Sequence, residues 1–202
     1  MPTAAASAQN ANVTFNALTE SAPGSGTRFV NNCYMENGFI FTAVGIGCTG
    51  TAAQDVFLAA GPNSPLFGGG PTPSLLLNTS ASTVIDVTRV GGILFNARTI
   101  ALAPFDMAMT TVLFTGMRQT GPNVTQSFIL GAQQNGFQTF TFNTGFRDLK
   151  SVRIASNNEF GEPFVKIDDV ALTVVPEPAS IALVAAGLVA VVGFARRRRV
   201  VC

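Results

Sequence analysis

The chain has 202 residues, a formal net charge of +1, 17 Phe, one Tyr and no His or Trp. Without histidine, nucleophile activation by a Ser–His or Cys–His pair and most imidazole acid–base schemes are excluded. Residues 1–174 hold eight basic and ten acidic side chains, a net of −2, so all the positive excess sits in one C-terminal arginine run and no basic patch remains for nucleic acid.

Charged residues make up 11% of the chain, against about 25% in an ordinary soluble protein. Thr, Asn, Ser, Gly and Phe dominate instead, a composition of short strands and polar turns that suits an exported surface domain. About 170 residues outside the C-terminal tail make one domain with enough chain for a sizeable core.

The chain opens on Met1-Pro2-Thr3-Ala4-Ala5-Ala6-Ser7-Ala8, in which Ala6-Ser7-Ala8 fits the small-x-small pattern of a signal-peptidase site with no charged or apolar region before it. Residues 1–10 are therefore expected to be either the remnant of a signal-peptide cleavage region, in a sequence that begins late, or a disordered N-terminus. From residue 11 the texture is β. Apolar alternation predicts strands over 13–18, 27–30, 38–44, 55–59, 74–77, 83–88, 92–95, 99–102, 107–114, 125–130, 136–142, 151–154 and 164–174. Turn chemistry separates them at Gly91-Gly92, Ala103-Pro104, Thr120-Gly121-Pro122-Asn123, Gln134-Asn135-Gly136 and Asn157-Asn158. Residues 61–73, with four Pro and four Gly, read as a loop. No window before the tail carries a helical stripe. The expected fold of 11–174 is an antiparallel β-sandwich.

Cys33 and Cys48 flank the strand predicted over 38–44. In an exported domain a disulfide is the simplest reading, and unpaired buried thiols are the alternative. A metal site is a poor reading, as two lone thiols without histidine cannot complete a typical zinc site. A glycosidase would need paired carboxylates. Glu36, Asp106, Asp148, Glu159, Glu162, Asp168 and Asp169 are available, but nothing in the sequence pairs them, so the chain is expected not to be an enzyme.

The last 28 residues have three parts. Pro176-Glu177-Pro178 cannot continue a strand, and proline is tolerated at a helix start. Residues 179–195 carry no charge and would span roughly 25 Å as a helix, just under the ~30 Å hydrocarbon core. Arg196, Arg197, Arg198 and Arg199 then form a stop-transfer cluster that holds the C-terminus on the cytoplasmic side. The expected architecture is thus a β-sandwich followed by a single C-terminal transmembrane helix.

This order of motif, short apolar helix and basic cluster resembles the PEP-CTERM sorting signal. The resemblance implies export in a Gram-negative bacterium, an exosortase as partner and cleavage near the motif. It further implies transient residence in the inner membrane, then a place at the cell surface or outside the cell, commonly with exopolysaccharide or biofilm matrix. Within 11–174, Tyr34-Met35-Glu36-Asn37-Gly38-Phe39 resembles a start-of-domain pattern of such ectodomains. Phe146-Arg147-Asp148-Leu149-Lys150-Ser151-Val152 followed by Phe164-Val165-Lys166-Ile167-Asp168-Asp169-Val170 resembles the end of a carbohydrate-binding-module-like jelly roll. That second resemblance implies an alternative function, a carbohydrate-binding module with a defined sugar site. It also makes Asp168 and Asp169 candidate ligands of a structural calcium, on opposite faces of the last strand. No other cofactor is expected.

Overall fold

The computed structural model describes residues 9–18, 27–30, 33–44, 48, 57–60, 73–77, 84–104, 109–131, 136–158 and 165–175. Among them are thirteen strands and one short 3₁₀ turn at Val90–Gly92. All strand pairs are antiparallel. The strands are β1 (Gln9–Val13), β2 (Thr27–Val30), β3 (Cys33–Glu36), β4 (Phe39–Ala43), β5 (Phe57–Ala60), β6 (Ser74–Leu77) and β7 (Val84–Arg89). They continue as β8 (Phe95–Pro104), β9 (Thr110–Arg118), β10 (Val124–Leu130), β11 (Gln138–Thr141), β12 (Leu149–Asn158) and β13 (Val165–Val174).

Two faces emerge from the pairing. One half runs β10-β9-β12-β7-β4-β3, and the other runs β2-β5-β6-β13-β8-β11, with β1 sharing an edge of β13 with β6. A single residue pair, Leu149 with Phe95, joins the halves by hydrogen bonds into one sheet. On the opposite side β10 and β11 meet through side chains. Phe128 stacks on Phe140 at 4.5 Å, and the Gln126 amide donates to Thr141 O at 3.2 Å and accepts from Asn143 N at 2.9 Å. The sheet is nearly closed, which leaves little exposed edge there to template aggregation.

Alternation puts the core between the halves. Phe39, Phe41, Ile85, Val87, Val112, Phe114, Val152 and Ile154 come from one half, and Leu75, Phe95, Leu102, Val165, Ile167 and Leu172 from the other. The two inner surfaces touch where the Phe39 and Phe95 rings meet edge-on at 5.2 Å. Each such ring, fully buried, contributes roughly 1.5–3 kcal/mol. Among the described residues most Phe rings are buried in this core, while Phe128 and Phe140 are half-buried against it and Phe137 is half-buried.

Strand limits differ from expectation in instructive places. The strand predicted over 13–18 ends where it was expected to begin, because Phe15 turns the chain at φ 55 and Leu18 N closes a turn onto Phe15 O. The strand itself begins at Gln9. Strand β3 was missed, although Asn37-Gly38, with φ 50 and 75, is the two-residue connection that right-twisted hairpins favour. The run predicted over 92–95 contributes only Phe95 to a strand, and that residue belongs to the same strand as 99–102, β8. A bulge hides the continuity: inward residues are Phe95 and Ala97, then Ile100 and Leu102, with the phase changing at Arg98 and Thr99. A matching irregularity in β13 lies at Asp168 and Asp169, where Asp169 takes φ 43.

Candidate functional site

The bulge in β8 sets up the most distinctive polar groove. Extra length at Arg98 turns that side chain outward beside the segment that links β11 to β12. This linking segment is fixed from several directions. Phe146 O accepts from Ala97 N at 3.1 Å, and Asp148 N donates to Asn96 Oδ1 at 2.9 Å. Asn143 Oδ1 accepts from Gly145 N at 2.8 Å, and the Arg118 guanidinium donates to Gly145 O from both Nε and a terminal nitrogen. Gly145 is required by close approach: a Cβ there would lie 2.8 Å from a Val124 methyl and from Asn143 Oδ1.

The result is a groove of about 390 Å³ lined by Asn96, Arg98, Thr99, Asn143, Thr144 and Arg147, among others, with buried Phe142 and Ala97 as its apolar floor. Arg98 and Arg147 are both exposed, and among the described residues neither guanidinium has a hydrogen bond or ion pair. Among the described residues no carboxylate lines the groove. It therefore offers positive charge, hydroxyls and side-chain amides on a held backbone, which suits an anionic ligand rich in hydroxyl groups.

A second groove, about 460 Å³, is lined by Gln9, Asn10, Ala11, Asn12, Asn37, Arg89 and Val174. Its arginine is spent on structure. Arg89 donates to Asn37 O and lies 4.9 Å over the Phe39 ring, where the cation meets the negative face of the π-system.

Glu36 is a structural acid. Its carboxylate accepts from Thr14 N at 3.1 Å, Thr14 Oγ1 at 3.3 Å, Phe15 N at 3.0 Å and Tyr34 Oη at 2.6 Å. These bonds hold Phe15 in its left-handed conformation, which costs an aromatic residue roughly 1–3 kcal/mol. Burial first, then the bond and the charge of Glu36, push the Tyr34 phenol well above its ordinary value. Asp86 is likewise occupied, by a two-pronged bond from Arg153 at 2.8 and 2.9 Å.

The other sequence-predicted residues fall as follows. Cys33 and Cys48 are joined by a disulfide with Cα atoms 5.1 Å apart. Asp168 is buried and its Oδ1 accepts from Asp169 N at 2.8 Å, whereas Asp169 is exposed. Lys166, on the same strand, is buried, and desolvation lowers its ammonium to about 8. Among the described residues no group of three or more His, Cys, Asp or Glu side chains could hold a metal ion. A calcium site on the last strand would also need an acid such as Glu20 or Glu36; Glu36 is engaged as above, and Glu20 lies outside the described residues. Asp106, Glu159, Glu162, Pro176, Glu177, Pro178 and the cluster Arg196, Arg197, Arg198 and Arg199 lie outside the described residues. Among the described residues no helix is long and apolar enough to cross a membrane, and 179–195 lies beyond them. Sequence reasoning did not single out Arg98, Arg147, Asn96 or Asn143 as a site. The turn at Asn143-Thr144-Gly145 was a visible signal, but its pairing with the β8 bulge across some fifty residues was not.

No curated protein matches the chain. The solved structures similar to it include the following two. A family 30 carbohydrate-binding module is 15% identical with a TM-score of 0.32, over 52% of this chain and 78% of the module. The enzymatically active domain of bacteriophage CBA120 tailspike protein 4 is 14% identical with a TM-score of 0.34, over 69% of this chain but only 20% of the tailspike chain. Over residues 174–199 the chain matches the PEP-CTERM protein-sorting motif, a signal for exosortase-dependent export.

Proposed function

We propose that this protein is a non-enzymatic cell-surface or extracellular-matrix protein, associated with exopolysaccharide. Residues 11–174 are its β-sandwich ectodomain, and 175–202 are a sorting signal from which an exosortase removes 179–202. The apolar segment 179–195 crosses the inner membrane only until processing. The observation that carries this reading is the match over 174–199, within which Pro176-Glu177-Pro178, the uncharged run and the four arginines stand in the order that sorting needs. Proline on both sides of Glu177 keeps the motif out of the strand before it, leaving an extended segment for a processing enzyme to grip. The engagement of Glu36 and Asp86 in structural bonds supports a non-catalytic domain.

The test is a pair of tags, one within 61–73 and one after Cys202, in a host with its exosortase. The expected outcome is that the tags separate in the parent chain. With Pro176, Glu177 and Pro178 all replaced by Ala, both tags should stay on one membrane-bound species. If both tags remain together in the parent chain at steady state, the segment is an anchor and the sorting reading fails.

A further inference from the structure

We propose that the groove between the β8 bulge and the β11–β12 connection binds a carboxylate-bearing polysaccharide, with Arg98 and Arg147 as its anion contacts. This deepens the reading above, since export is what places the groove among extracellular polymers.

Three observations converge. First, the two arginines are available. In a protein whose residues 1–174 carry net negative charge, the other described arginines with defined side chains are each engaged: Arg89 by Asn37 O, Arg118 by Gly145 O and Arg153 by Asp86. Arg98 and Arg147 alone among these are exposed without a partner, and they line one groove. Guanidinium groups bind planar carboxylates through paired, charge-assisted hydrogen bonds. Second, the rest of the lining is Asn96, Thr99, Thr141, Asn143 and Thr144, side chains that donate and accept alike. That pattern fits a string of sugar hydroxyls better than a compact phosphate. Third, the wall is already held by the bonds to Phe146 O, Gly145 O and Asp148 N, so little ordering remains to be done on binding. The groove is of ordinary ligand-site size.

The experiment uses the full-length chain in detergent micelles, titrated calorimetrically with sodium polygalacturonate, dextran, single-stranded DNA and inorganic phosphate. Polygalacturonate should bind, and dextran should not. Arg98→Gln and Arg147→Gln should each weaken binding roughly tenfold, the loss of one charge-assisted contact. Lys150→Gln removes an equal charge outside the groove and should change affinity less than about twofold. Equal weakening by Lys150→Gln, equal affinity for DNA or inorganic phosphate, or no binding of polygalacturonate would overturn the proposal. A circular-dichroism melt of each variant separates lost binding from lost fold. Cell fractionation of the same variants separates failure here from failure of the sorting reading, because neither arginine lies in the sorting signal.

Discussion

The two polar grooves have similar volumes, about 390 and 460 Å³, and each contains arginine and asparagine. Their chemistry is nevertheless opposite. In the groove by β1 and the β3–β4 hairpin, Arg89 is clamped between Asn37 O and the Phe39 ring, and Asn37 also donates to Asn12 O. Arginine there is part of the fold. In the groove by β8 and β11, Asn96, Asn143 and Arg118 hold the backbone, and Arg98 and Arg147 have no partner among the described residues. The difference teaches that a groove is judged by which of its charges are already used, and not by its composition.

The comparison breaks most visibly at the structural end. Glu36→Ala removes the acceptor for Thr14 N, Phe15 N and Tyr34 Oη at once, and leaves Phe15 in a strained conformation. A loss of about 2–4 kcal/mol is expected, from hydrogen bonds to a charged acceptor. Urea unfolding should show it as a lower midpoint with unchanged slope. An unchanged midpoint would mean that water or another group replaces the carboxylate.

A smaller effect sharpens the contrast between the arginines. Arg89→Ala should cost about 1–2 kcal/mol, for one hydrogen bond and one cation–π contact. Arg98→Ala and Arg147→Ala should stay within about 0.5 kcal/mol of the parent chain. The same urea series measures all three. A drop for Arg98→Ala equal to that of Arg89→Ala would make both grooves structural.

Legibility followed the range of the interactions. The tail was readable because its signal is local: two prolines around Glu177, an uncharged run and four consecutive arginines are contiguous. Strands β2 and β6 fell where alternation placed them, at Thr27–Val30 and Ser74–Leu77. Alternation failed where the backbone left it. The β8 bulge split one strand into two predicted ones, and the left-handed Phe15 ended a strand where its neighbours promised a start. Asp168 and Asp169 were placed on opposite faces of the last strand, and one is buried and the other exposed, but through a bulge with Asp169 at φ 43 that alternation did not announce. The groove was illegible for a further reason. It depends on Ala97 N meeting Phe146 O and Asn96 meeting Asp148 N, contacts between segments distant in sequence that no spacing rule announces.

The central claim, that the C-terminal segment is an address and not an anchor, is tested most directly by the intact mass of the protein recovered outside cells that carry the exosortase, recorded without reduction. The expected species lacks residues 179–202 and retains the Cys33–Cys48 disulfide. A mass that includes Arg196 to Cys202 would contradict it.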